Sequence, residues 1–274
     1  MHSGRLTVLG AGFDPLGRRD ALDRISQYLE SDHFNLVVTI GTEMVMHAQH
    51  DLEFREITCN AALVIPDGIG VVVAGRYRGY QVPERVTGID LIVSIAESFG
   101  PKARFYFLGA APGVVEEAAS SLRNSHPSAQ VVGMHDGYFK DDEAMVAAIR
   151  ESGANILLAG LGFPRQEKWL QKFGPLTGCK VGIGVGGSFD VLSGRLSRAP
   201  GIVRKVGLEW LYRLAKQPTR WRRMAVLPYF AVKVLFGGSK SVRPLAAKSH
   251  TVSILPVPDV SSSENPPAVG EASR

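Results

Sequence analysis

Apolar residues recur along this chain in two periods that alternate with each other. Short apolar runs bounded by turn residues predict strands at residues 5–9, 36–40, 62–65, 104–108, 130–133, 155–159 and 180–185. Between them the spacing lengthens to that of helices. Residues 19–29 place Leu22, Ile25, Tyr28 and Leu29 on one face. Helical spacing also marks residues 69–76, 89–98, 114–124, 141–152 and 165–173, with Asp141 as the expected N-cap of its helix. Strands separated by single helices predict an α/β fold: a mostly parallel, Rossmann-like sheet with helices on both faces and right-handed crossovers.

The pattern changes after Gly194. Residues 201–237 read as two or three helices with no strand between them. There Trp210, Leu211, Leu214, Trp221, Leu227, Tyr229 and Phe230 interleave with Arg204, Lys205, Arg213, Lys216, Arg220, Arg222, Arg223 and Lys233. This predicts a basic amphipathic helical appendage. Residues 249–274 are Ser-, Pro- and Val-rich without a period, which predicts disorder. The expected organisation is an α/β domain over 1–194, a basic helical appendage over 195–243 and a disordered tail over 244–274.

Charge sharpens that division. The chain carries +5 overall, yet residues 195–243 hold twelve Lys or Arg against one acid, Glu209, a local +11 that leaves −6 for the rest. Such a segment seeks an anionic surface, either lipid or nucleic acid. The two cysteines, Cys59 and Cys179, offer no disulfide framework and suggest a reducing compartment. No apolar leader follows Met1, and no run of about 18 apolar residues predicts a spanning helix.

In a parallel sheet, ligands sit at the carboxyl ends of the strands. The residues expected there are Thr39-Ile40-Gly41-Thr42-Glu43, Pro66-Asp67-Gly68, Gly109-Ala110-Ala111, the run from Gly160 to Glu167, and the run from Gly184 to Asp190. Glycine turns ahead of helices bring backbone N–H groups close to phosphate, so several on one edge suit a diphosphate. Each turn alone is also ordinary α/β punctuation, and Asp67 alone could be a turn residue or cap. Two strings, Gly10-Ala11-Gly12 and Gly182/Gly184/Gly187, leave a nicotinamide-dependent oxidoreductase open. The basic segment leaves open a non-catalytic membrane or nucleic-acid binding module. His47 and His50, three apart, lack the further ligands a metal site requires.

Taken in order, the motifs are more specific. Pro66-Asp67-Gly68-Ile69-Gly70, Arg85-Val86-Thr87-Gly88-Ile89-Asp90-Leu91 and Phe107-Leu108-Gly109-Ala110-Ala111-Pro112-Gly113 are followed by Gly137-Tyr138-Phe139. Then come Gly160-Leu161-Gly162-Phe163-Pro164-Arg165-Gln166-Glu167-Lys168-Trp169, Gly184-Val185-Gly186-Gly187-Ser188-Phe189-Asp190, Arg198-Ala199-Pro200 and Gly207-Leu208-Glu209-Trp210-Leu211-Tyr212-Arg213. Over residues 35–235 this series resembles the WecG/TagA/CpsF family of bacterial glycosyltransferases.

The resemblance implies an inverting, metal-independent transfer in cell-surface polysaccharide synthesis, with the domain over 1–194 catalytic and the appendage over 195–243 membrane-associating. A sugar passes from a UDP-sugar, of the N-acetylmannosamine, glucose or glucuronate type, to a polyprenyl-diphosphate-linked sugar. It implies Asp67 as the catalytic base, with Thr39, Arg85 and Gln166 at the reaction centre. Tyr138 and Asp190 match positions associated with the uridine. The glycine turns, through Gly109, Ala110, Gly160, Gly162, Gly184 and Gly186, are expected to hold the donor. Arg213, Arg220 and Arg223 match arginines expected to close over the acceptor diphosphate. The resemblance further implies no cofactor beyond the donor, a membrane surface rather than nucleic acid as partner, homo-oligomers, and a cytoplasmic place on the inner face of the membrane. One departure stands out: the family's usual Thr-x-Asn-x-Glu reads Thr39-Ile40-Gly41-Thr42-Glu43 here, which bears on sugar identity.

The chemistry agrees with one carboxylate. A base that takes the acceptor hydroxyl proton contributes about 10²–10⁴-fold. A nucleoside diphosphate leaves without a proton and needs charge stabilisation from amides and arginines.

Overall fold

The computed structural model describes residues 4–205, 207, 209–216, 221 and 225–245. The predicted α/β class is observed. Six strands form one parallel sheet: β3 (Asn35–Ile40), β4 (Leu63–Pro66), β5 (Arg104–Gly109), β6 (Gln130–His135), β7 (Ile156–Gly160) and β8 (Val181–Gly184), in the order β4-β3-β8-β7-β5-β6. Every adjacent pair is parallel.

Period-two alternation divides the strand side chains between two cores. Leu36, Val38, Ile40, Val64, Tyr106, Leu108, Leu157 and Ala159 face one side. There they meet α2 (Thr42–His47), α3 (Leu52–Asn60), α4 (Ile69–Tyr77), α7 (Asp142–Glu151) and α8 (Arg165–Phe173). Val37, Leu63, Ile65, Phe105, Phe107, Ile156, Leu158, Val181 and Ile183 face the other. That side is covered by α1 (Arg18–Leu29), α5 (Gly88–Phe99), α6 (Val114–Ser125) and the short α9 (Ser188–Leu192). Asp141 caps α7 as expected, accepting from the N–H groups of Glu143 and Ala144.

The first predicted strand departs from expectation. β1 (Leu6–Val8) lies outside the parallel sheet, in a small antiparallel sheet with β2 (Ala11–Phe13) and β9 (Val242–Pro244). Leu9 and Gly10, at φ 48° and 92°, make the tight β1–β2 turn. The Gly10-Ala11-Gly12 string therefore joins two antiparallel strands and opens no helix, so it is not a dinucleotide turn. Asp14 ties this sheet to the edge strand β4. Its Oδ2 accepts from the Val64 N–H at 2.8 Å and from Arg5 Nη2 at 2.8 Å, and its own N–H donates to the Val64 carbonyl. The exposed edge is thereby occupied.

Beyond α9 the chain forms α10 (Gly201–Lys205), α11 (Glu209–Lys216) and α12 (Val226–Phe236). Helix α12 packs on α2 and α4 through Phe230 and Val234. Lys233 Nζ donates to Gln49 Oε1 at 2.6 Å, and Arg78 at the end of α4 donates to the Val234 carbonyl and to Ser241 Oγ. The predicted boundary at 194/195 falls between α9 and α10, and Pro244, the first residue of the predicted tail, pairs with Leu6. Residues 246–274 lie outside the described residues. Among the described residues no helix is long and apolar enough to cross a membrane.

Candidate active site

The strand registers bring the predicted loops level with each other. Ile40 pairs with Pro66, and Val38 with Gly184, so Gly41, Asp67 and the turn after β8 all leave the sheet along one edge. A cavity of about 680 Å³ opens there, over β3, β4 and β8. Thr39, Gly41, Asp67, Arg85, Gln166, Gly162 and Gly186 line it. A crevice at the carboxyl edge of an open parallel sheet is where such folds take ligands.

Helix starts concentrate at this cavity. Gly41, Gly68, Thr87 and Gly187 are the residues before the first turns of α2, α4, α5 and α9, and all four line it. Helix N-termini carry partial positive charge and unused N–H groups, so their convergence favours an anionic ligand. The two glycines of Gly68-Ile69-Gly70 permit that convergence. A Cβ on Gly68 would lie 2.8 Å from the Thr42 nitrogen, and one on Gly70 would lie 2.5 Å from Thr42 Oγ1.

Each polar side chain has a defined attachment. One oxygen of Asp67 accepts from the Gly88 N–H, in the first turn of α5, at 3.3 Å. Thr39 is buried, and its hydroxyl donates to the Gly184 carbonyl at 2.7 Å. Its proton is committed to joining β3 and β8, and its oxygen remains an acceptor for the cavity. Gln166 is buried and accepts the Gly186 N–H at 3.1 Å. Arg85 pairs with Glu209 of α11, whose side chain is almost wholly buried. Next to this pair, Arg198 donates to Asp90 and Thr87. The loop from Arg85 to Asp90 is therefore held from one side by the chain after α9, and from the other reaches Asp67.

The opposite wall is apolar. Val73 and Tyr77 of α4 line it together with Leu227, Phe230, Ala231, Val234 and Leu235 of α12. Tyr229, Val232, Leu235 and Phe236 of α12 are exposed, as are Val73 and Tyr77. The apolar surface thus continues out of the mouth.

Of the other predicted donor residues, Gly109, Ala110, Tyr138 and Gly160 form a shelf on the β5–β7 side of the same edge, and neither they nor Gly184 of β8 and Asp190 of α9 line the cavity. The Ala110 N–H donates to the Gly160 carbonyl at 3.0 Å, and the Gly137 N–H to the Ala110 carbonyl at 2.9 Å. Arg165 Nη1 donates to the Gly137 carbonyl at 3.1 Å. Tyr138 stands beside them, 73% exposed. Gly109 and Gly160 are required by packing, since a Cβ on Gly109 would sit 2.4 Å from the Gly160 carbonyl carbon. Asp190 lies in α9, and a Cβ on Gly187 would approach its Oδ2 to 3.4 Å. Of the second dinucleotide-like string, Gly182 makes room for Phe34, and Gly184 for Gln166 and Glu167. Both serve packing. Among the described residues no cluster of three or more His, Cys, Asp or Glu is arranged to hold a metal. His47 packs edge-on against Phe54 and Phe163 and reaches Asp51 Oδ2 at 3.1 Å.

Arg220 and Arg223 lie outside the described residues, as does the side chain of Arg213 on α11. Sequence reasoning passed over Glu209 as a site residue, although its position as the lone acid among twelve cations marked it. It also gave no role to the α4–α12 wall, which only tertiary packing assembles.

Comparison with known proteins identifies the family. A model of the Glycosyl transferase WecG/TagA/CpsF family matches residues 6–243. The chain is 34% identical over 218 residues to an N-acetylglucosaminyldiphosphoundecaprenol N-acetyl-beta-D-mannosaminyltransferase of Bacillus spizizenii, covering 79% of this chain and 85% of the relative. The enzyme of the same name from Bacillus subtilis is 31% identical over 237 residues, covering 83% and 92%. That of Staphylococcus aureus is 29% identical over 238 residues, covering 85% and 93%. With matched residues running from β1 to β9 and the whole cavity edge inside them, the chain belongs to the WecG/TagA/CpsF family and is a glycosyltransferase.

Proposed function

We propose that this glycosyltransferase moves an N-acetylmannosamine-type sugar, with inversion, from its UDP donor to a sugar carried on a polyprenyl diphosphate. The observation that carries the reading is the cavity itself: Asp67 among helix N-termini on one side, and an apolar wall running out to exposed surface on the other. The named relatives act on an N-acetylglucosaminyl-diphosphoundecaprenol acceptor, which has a polar head and a long apolar tail. The cavity offers a surface for each.

In this reading Asp67 takes the proton of the acceptor hydroxyl as that oxygen attacks the anomeric carbon. The donor's carbon–oxygen bond to the diphosphate breaks on the opposite face. Charge on the departing UDP falls to the N-termini of α4 and α5 and to Arg85. Gln166 and Thr39 hold the floor on which the transferring sugar rests. Tyr138, Asp190 and the Gly109–Ala110 shelf are assigned to the uridine end. The leaving group requires charge stabilisation rather than a proton, so the reaction is assigned no metal and no second cofactor. The enzyme works at the cytoplasmic face of the membrane, with α12 and Arg213, Arg220 and Arg223 of the basic segment toward the lipid.

The test is a donor screen. Purified protein is incubated with detergent-dispersed polyprenyl-diphosphate-linked N-acetylglucosamine and a panel of UDP-sugars, and released UDP is measured. Acceptor-dependent release with UDP-N-acetylmannosamine is expected. Release with UDP-glucose alone would retain the class and change the sugar. The absence of both UDP binding and UDP release would overturn the reading.

A further inference from the structure

Helix α8 opens with Arg165, Gln166 and Glu167, and the last two turn inward beneath β8. Glu167 is fully buried, and its Oε2 has no hydrogen-bond partner among the described residues. Carboxyl groups are almost never buried in this way without a compensating contact, and such a group calls for a reason. Its other oxygen gives one. Glu167 Oε1 accepts from Gln166 Nε2 at 2.7 Å, and Gln166 Oε1 accepts from the Gly186 N–H at 3.1 Å. Gln166 and Gly186 both line the cavity. The backbone of β8 is shaped around the pair, because a Cβ on Gly184 would lie 2.9 Å from both Gln166 Nε2 and Glu167 Oε1.

Among the described residues no opposing charge accounts for the carboxyl. β3, β7 and β8, which pack against α8, carry no ionisable side chain. On α3 and its cap, Asp51 and Glu53 pair with Lys168, Arg55 lies against Gly10, the Cys59 thiol donates to the Gly10 carbonyl, and Glu56 is exposed. On α8, Arg165 reaches Gly137 and Lys172 stacks over Phe173. Burial therefore outweighs the hydrogen bonds from Gln166 and from the Glu167 backbone N–H, and pushes the Glu167 carboxyl up to about 7.

We propose that Glu167 is a positioning residue for transfer: its Oε1 decides which end of the Gln166 amide faces Gly186, and so sets the turn that floors the cavity. The two ends of a glutamine amide have nearly the same shape, and only hydrogen bonding distinguishes them. With Glu167 as acceptor, Nε2 turns to Glu167 and Oε1 receives the Gly186 N–H. Reversed, Nε2 would meet the Gly186 N–H donor to donor, and the turn would have to shift. Ionisation places charge in an apolar layer and draws the carboxylate toward water, which breaks the same relay.

The inference rests on the transferase reading of the cavity, and the wild-type assay tests that reading by itself. Glu167→Gln keeps an acceptor and stays uncharged, whereas Glu167→Leu keeps the bulk and removes the acceptor. The expected result is wild-type kcat for E167Q at pH 6, with a flatter profile than wild type between pH 6 and 8.5. E167L should melt at or above the wild-type temperature and lose about tenfold to a hundredfold in kcat, more than any change in KM. Should wild type prove inactive with every donor, the Gln166 side-chain amide resonances decide: they should move in E167L and stay in E167Q. An E167L that folds and turns over like wild type overturns the proposal. So does an E167Q whose pH profile matches that of wild type. If E167L fails to fold, the E167Q profile carries the decision.

Discussion

Arg85 and Glu209, 124 residues apart in the chain, meet as an ion pair beside the cavity. Glu209 is 3% exposed, so its charge requires partners, and Arg85 is one of them. The loop that carries Arg85 also sends the Gly88 N–H to Asp67. Docking of α11 and the setting of Asp67 thus share one loop. Glu209→Ala and Arg85→Ala should each destabilise the protein, and their effects should fail to add by about 1–3 kcal/mol. A double-mutant cycle by urea denaturation measures that coupling, and additive effects would show the pair to be independent.

Asp67→Asn keeps the shape of the side chain, and with it an acceptor for Gly88, while removing the base. The expected loss in kcat is about 10²–10⁴-fold with UDP affinity retained. Calorimetry for UDP alongside turnover separates the two. Wild-type turnover in this variant would move the base elsewhere.

Gly160→Ala is expected to weaken the fold strongly. Its Cβ would lie 2.7 Å from Phe189 and 3.0 Å from the Gly186 carbonyl oxygen. Overpacking of this kind typically costs about 1–3 kcal/mol. Phe189 stacks on Phe107 at 4.9 Å, so the strain passes into the core and is expected as a lower melting temperature.

The buried Glu167 carboxyl makes stability depend on pH. Its folded value of about 7 lies above the ordinary 4.5. The folded state therefore binds the extra proton between those values, and stability falls as pH rises from about 4.5 through 7. A shift of that size corresponds to about 3 kcal/mol. Glu167→Gln should accordingly raise the melting temperature more at pH 8 than at pH 5. An equal effect at both values would show that the carboxyl ionises normally.

Gly41 caps α2 at φ −101°, a conformation open to any residue, and a Cβ there would meet nothing within 4 Å. Neither backbone nor packing demands glycine at this point of the cavity lining. Gly41→Asn should fold with equal or greater stability, since asparagine caps helices well. It should also change the ranking of UDP-sugars in the donor screen, and an unchanged ranking would show that the position is indifferent to the sugar.

Much of the fold was legible because both faces of the sheet are covered, leaving strong apolar runs such as Leu36–Ile40 and Phe105–Leu108 between helical stretches. The strand ends followed, and with them Asp67, Thr39 and Gln166. What escaped had no local signal. Val8 pairs with Val242 across almost the entire chain, and three-residue strands leave no period to read. The five-residue α9 is equally short. Burial of Glu167 was hidden because its neighbours in sequence, Arg165 and Lys168, are charged and its partners come from β8 and Gln166. The glycine turns were legible as turns, but their division into cavity floor and packing contacts required the neighbours that a Cβ would meet.

The pairing of β9 with β1 has a consequence for synthesis. The ribosome delivers Leu6–Val8 before the strands of the parallel sheet and Val242–Pro244 after them, and the apolar wall on α12 arrives just before β9. Until β9 is made the nascent protein therefore carries an open-sided cavity and an unmatched strand edge, both of which invite association with other chains. Helix α12 and β9 are neighbours in the chain, so the free edge of β1 and the apolar wall of the cavity are completed together, after the parallel sheet.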